Sequence, residues 1–124
     1  MPYLISIVDD DASFRLALTS LLQSLDYTVA AFESAEKFLA SGVIDETACL
    51  ISDVALPGMS GYELQARLRE AGHPTPIIFV AGSPGAKTRA QAIASGALAF
   101  LGKPFAEDRL IALLGQVERD LGSS

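Results

Sequence analysis

Five residues of this chain could do chemistry together, although they lie far apart in it. "IVDDD" at 7–11 ends an apolar run in three aspartates, Asp9, Asp10 and Asp11. A second apolar run, "ACLISDV" at 48–54, also ends in an acid, Asp53. Lys103 follows a third run, in "FLGKPF" at 100–105. Adjacent carboxylates repel one another, so a fold that gathers them must offer a cation, protons or open water in return. Three carboxylates without histidine or thiolate make an all-oxygen site, which suits Mg²⁺ or Mn²⁺. Zinc is disfavoured: the single histidine, His73, stands in the loop "GHPTP" and reads as solvated, and the single cysteine, Cys49, reads as a small core residue. A metal held by carboxylates commonly neutralises phosphate, and Lys103 would add one further positive charge. Pro104 stiffens the backbone beside that lysine, at a bond where a cis peptide can form. The plainer readings are helix capping for the aspartates and a solvated lysine. Capping suits Asp11; it does not account for Asp53.

The elements that would have to position these residues alternate along the chain. "YLISIV" (3–8) is a short β-branched run, read as a strand buried on both faces. After Asp11, residues Phe14, Leu18, Leu21, Leu22 and Leu25 recur at helical spacing. "YTVAAF" (27–32) reads as a strand, and Ser34 as the N-cap of a short helix. "ACLISDV" is the third strand, and a helix runs from about Ser60 to a stop at Gly72. "TPIIFVAG", a helix closed by Gly96, the strand "ALAFLG" and a final helix, "EDRLIALLGQVERDL", complete the pattern. Five strands alternating with five helices through short loops predict a flavodoxin-like, doubly wound α/β fold with a parallel sheet in the order 2-1-3-4-5. In that order ligands sit at the carboxyl ends of strands 1 and 3, where the winding reverses. Asp9, Asp10 and Asp53 fall at those ends, and Lys103 at the same edge.

Composition narrows the function classes. With 124 residues, half of them hydrophobic, the chain reads as one domain (1–124) with a real core. A formal net charge of −6 gives it no electrostatic reason to bind nucleic acid or an anionic membrane. One cysteine makes no disulfide framework, and the N-terminus has no basic head or long apolar stretch, so a cytoplasmic location is expected.

These residues together resemble the receiver domain of two-component response regulators. The resemblance covers essentially the whole chain and rests on "VDD" after strand 1, "SDVALPGMSGYEL" after strand 3 and "FLGKPF" after strand 5. It implies that Asp53 accepts a phosphoryl group from a histidine kinase, forming an acyl phosphate. It further implies that Asp10 and Asp53 bind Mg²⁺ through carboxylate oxygens, that the backbone carbonyl of Ala55 is a third ligand, and that Asp9 acts largely through a bound water. Lys103 would pair with Asp53 or with phosphoryl oxygens, and Pro57 and Gly61 match the family's turn. A homodimer through helix 4, strand 5 and helix 5 is a family habit. The closing "LGSS" reads as a natural end or as the start of a linker to an output domain.

One position departs from the family pattern. Thr or Ser normally stands at the end of strand 4, twenty-two residues before the lysine; here it is Ala81. The hydroxyl there ordinarily bonds the phosphoryl group, and an aromatic three residues before the lysine, here Phe100, turns toward the vacated space. Without that donor the site can be charged while its coupling to an output surface weakens. Ser83, two residues on, is a candidate stand-in, or a turn residue ahead of helix 4. Ala81 also favours an alternative reading, a phosphorylation-independent interaction module. A metal-dependent phosphatase is disfavoured because no second acid follows Asp53 at short spacing. Flavin binding is disfavoured because strand 1 ends in acids and not in a phosphate-cradling loop.

Overall fold

The computed structural model describes residues 3–82 and 86–122, so Ser83 lies outside the described residues. Ten elements alternate as expected: β1 (Leu4–Val8), α1 (Ala12–Ser24), β2 (Thr28–Phe32), α2 (Ala35–Ala40), β3 (Thr47–Asp53), α3 (Gly61–Glu70), β4 (Ile77–Ala81), α4 (Ala86–Ala94), β5 (Ala99–Gly102) and α5 (Glu107–Gly122). The strands form one parallel sheet in the order β2-β1-β3-β4-β5. β4 and β5 each begin two residues later than their apolar runs suggest. β4 begins at Ile77, and the carbonyl of Thr75 ahead of it is taken by Arg69 Nη1 at 3.0 Å. β5 begins at Ala99, after Leu98 N–H has bonded the Ile77 carbonyl at 2.8 Å.

Side chains of the central strands alternate between two cores, as the two-residue strand period requires. Ile5, Ile7, Cys49, Ile51, Ile78, Val80 and Leu101 pack with Leu18 and Leu22 of α1 and Leu110, Leu114 and Val117 of α5. Val8, Leu50, Ile77, Phe79, Ala81 and Phe100 pack on the other face, with Phe38 of α2, Leu64 and Leu68 of α3 and Ala92 of α4. Helix ends follow the sequence signals. Asp11 caps α1 by accepting from the N–H groups of Ser13 and Phe14, and Ser34 caps α2. Ser60 and Glu63 form a reciprocal capping box on α3. Gly72 and Gly96 end α3 and α4 with φ of +83° and +90°, the left-handed backbone that glycine adopts without penalty.

Register sets the functional edge. Val8 pairs with Ser52, Asp53 with Val80, and Ala81 with Gly102. The ladder continues one step past the strand ends: Asp9 N–H donates to Phe32 O, Val54 N–H to Val80 O, and Lys103 N–H to Ala81 O. Asp9, Asp53, Ala81 and Lys103 are thereby carried to one edge of the sheet.

Candidate functional site

Lys103 ties this edge together. Its Nζ donates to Asp9 Oδ2 at 2.7 Å and to Asp53 Oδ2 at 2.9 Å. The Lys103–Pro104 peptide is cis. Asp53 ends β3, and its Oδ1 accepts the Ala55 N–H at 2.9 Å. Asp9 is 1 % exposed, and its Oδ1 accepts the Asp11 N–H at 2.9 Å. Asp10, one residue on, is exposed to solvent. Asp9, Asp10 and Asp53 each offer a carboxylate oxygen, all within 4.8 Å of one another. This is the convergence expected from the sequence, with one difference of emphasis: Lys103 bonds two of the aspartates, and Asp9 is its shorter partner.

The charges are in tension. Burial pushes the Asp9 carboxyl above its ordinary value and the charge of Asp53 adds to this, against the opposing pull of the Lys103 and Asp11 hydrogen bonds. Burial alone would lower the Lys103 pKa, but its bonds to Asp9 and Asp53 outweigh that and raise it. The ammonium therefore stays charged and neutralises part of the acid cluster. Three carboxylates share one cation, an all-oxygen donor set with charge to spare, which fits a hard divalent ion.

Three residues near the edge escaped sequence reasoning in their roles. Phe14 looked like plain core spacing, yet Lys103 Nζ lies 4.1 Å from the centroid of its ring. Arg15 reaches back to bond the Asp9 carbonyl through Nη1 at 2.6 Å. Glu36 accepts the Met59 N–H at 3.4 Å, linking α2 to the β3–α3 loop. For Phe14 and Arg15 the available signal was proximity to the acid run, which does not give side-chain direction; Glu36 is distant in sequence from both the acid run and the turn and carried no such signal.

The remaining expected positions are also placed. Ala55 is exposed in the loop after Asp53. Ala81 (6 % exposed) and Phe100 (3 %) are buried in the same core layer, and the Arg89 guanidinium lies 5.1 Å above the Phe100 ring. Tyr62 of α3 donates through its hydroxyl to the Thr88 carbonyl of α4 at 3.2 Å. His73 is half-buried and lies 3.1 Å from Asp45, far from the edge in the fold, among residues at the opposite ends of the strands. Cys49 is buried within β3, as expected.

Comparison with known proteins decides the family. The sequence profile of the family described as "Response regulator receiver domain" matches residues 5–115. The chain belongs to that family. This receiver domain is 40 % identical over 118 residues to Nodulation protein W of Bradyrhizobium diazoefficiens, covering 94 % of this chain and 52 % of that protein. It is 41 % identical over 107 residues to the response regulator protein TodT of Pseudomonas putida, covering 86 % of this chain and 47 % of that one. The receiver domain thus spans about half the length of the curated relatives it matches. A response regulator receiver protein from Pseudoalteromonas atlantica superposes on it with a TM-score of 0.87 at 32 % identity, covering 95 % of this chain and 98 % of that one. The flavodoxin-like, CheY-like architecture and membership of two-component signalling follow from these likenesses. No helix among the described residues is long and apolar enough to cross a membrane.

Proposed function

We propose that this receiver domain takes a phosphoryl group from a histidine kinase onto Asp53, with Mg²⁺ (or Mn²⁺) bound by Asp10, Asp53 and the Ala55 carbonyl and supported by Asp9 through water. The observation that carries the reading is the Lys103 ammonium bonded to Asp9 and Asp53 with the Asp10 carboxylate alongside. When bound, the divalent ion relieves the repulsion between the attacking carboxylate and the phosphoryl oxygens. A carboxylate oxygen of Asp53 forms the new bond to phosphorus while the donor's P–N bond breaks; the imidazole leaves with that electron pair and takes up a proton. Lys103 exchanges its bond to Asp53 Oδ2 for one to a phosphoryl oxygen, so the charge it neutralises moves but does not vanish. Ala55 N–H keeps Asp53 Oδ1 oriented through the transfer. The rest is in-line positioning, and hydrolysis of the acyl phosphate returns Asp53 to its carboxylate.

Signalling beyond the site is the weaker half of the switch. Ala81 offers no hydroxyl to a phosphoryl group, and Phe100 is already packed inward beneath α4, so little is left at β4 to pull the α4 face into a new position. Ile93 on α4 and Ile111 on α5 are exposed (64 % and 41 %), apolar surface of the kind a homodimer or an output partner would cover. An output domain beyond residue 124 would fit the length of the relatives. Incubation with acetyl phosphate and Mg²⁺, followed by intact mass, tests the phosphoacceptor reading. One added phosphoryl group is expected, lost without Mg²⁺ and in Asp53→Asn; an unmodified mass in the wild type contradicts it.

A further inference from the structure

The Lys103 ammonium has three N–H donors and three neighbours to receive them. Two are carboxylate oxygens, Asp9 Oδ2 and Asp53 Oδ2. The third is the face of the Phe14 ring, whose centroid lies 4.1 Å from Nζ, well inside the distance at which a ring attracts a cation through its quadrupole. The ring is itself held. Phe14 sits in the first turn of α1, its N–H bonded to the Asp11 cap at 3.2 Å, and Arg15 next to it clamps that turn onto the Asp9 carbonyl. Phe105 packs against it in a T-shaped arrangement, with centroids 6.2 Å apart and planes at 79°.

A groove of about 460 Å³ opens beside the lysine, lined by Phe14, Leu18, Leu21, Gly82, Pro104 and Phe105 among others. Asp11 and Glu107 also line it. An aromatic face holds the ammonium in a way a further carboxylate could not. It attracts the ammonium without carrying a charge, so it neither competes for a divalent cation nor repels a phosphoryl group. As the ammonium passes from Asp53 to a phosphoryl oxygen, its contact with the ring can persist.

We propose that Phe14 is a positioning residue for the phosphoryl-transfer chemistry: its ring face holds the Lys103 ammonium over the carboxylates and serves as its pivot when a phosphoryl group arrives. The role rests on the phosphoacceptor reading above and adds to it a residue outside the acid–lysine set.

Beryllofluoride with Mg²⁺ is the probe, because it occupies the phosphoryl position without a kinase whose docking Phe14 could also affect. Wild type, Phe14→Leu and Phe14→Tyr are titrated and followed by ¹⁹F NMR, with a thermal melt on each. Phe14→Leu keeps an apolar side chain but loses the quadrupole; it is expected to weaken beryllofluoride binding by about fivefold and to leave Mg²⁺ affinity unchanged. Phe14→Tyr restores the ring and is expected to bind like wild type. In the wild type the ε-methylene protons of Lys103 are expected well upfield of free lysine from the ring current, a readout that needs no variant. Unaltered beryllofluoride binding in Phe14→Leu overturns the positioning role, as does failure of a folded Phe14→Tyr to rescue or an ordinary Lys103 ε-proton shift. A wild type that binds no beryllofluoride contradicts the phosphoacceptor reading itself, which keeps the two failures apart.

Discussion

Asp9 and Asp10 are neighbours with opposite environments, and the difference comes from one step of chain. Asp9 continues the ladder past β1 and is pulled inward, where Lys103 and the Asp11 N–H receive its carboxylate. Asp10 points to solvent, which leaves its carboxylate able to meet an incoming ion. Burial has a second consequence at Cys49, whose thiol is pushed up from 9.0 to about 12. In the unfolded chain that thiol ionises near 9.0, while in the fold it stays protonated until about 12. The stability it contributes is therefore complete below pH 9.0 and lost as pH climbs toward 12. Denaturant midpoints measured from about pH 9 upward should fall less steeply in Cys49→Ala than in wild type. Equal slopes would contradict a buried, protonated thiol.

At the level of elements, α3 comes against the backbone of Asp53, the proposed phosphoacceptor. A Cβ built on Gly61 would lie 2.4 Å from the Asp53 backbone oxygen and 3.0 Å from Val54 Cα, so helix and strand meet there with no room for a side chain. Gly61→Ala is expected to destabilise the fold by about 1–3 kcal/mol, because it is backbone that must yield. Chemical denaturation checks this, and an unchanged midpoint would mean the contact is softer than its geometry. The alternation of strands and helices was legible in the sequence, since buried parallel strands read as continuous apolar runs and Asp11, Ser34, Ser60, Gly72 and Gly96 mark helix ends by their chemistry. So was the gathering of Asp9, Asp10, Asp53 and Lys103, which follows from strand order alone. The Phe14–Lys103 contact and the Arg15 clamp were not legible. Helical spacing assigns Phe14 to an apolar face, but which cation lies over its ring depends on how α1 seats against the β5–α5 loop.

For the whole molecule, the question is whether a charge change at one sheet edge reaches the α4 face. Asp53 pairs with Val80 and Lys103 bonds the Ala81 carbonyl, so the site and β4 share a backbone. What β4 lacks is a side-chain donor at its end. Ala81→Thr supplies one, and beryllofluoride should then shift backbone amide resonances of α4 more than in wild type. Equal shifts in the two proteins would contradict weakened coupling through Ala81. A switch of this kind requires that Asp53 itself carry the phosphoryl group. Borohydride reduction after acetyl phosphate treatment, followed by peptide mass spectrometry, asks that directly, because it converts an aspartyl phosphate into homoserine. Homoserine at position 53 is predicted; a phosphoryl group on another residue, or none, would contradict the account.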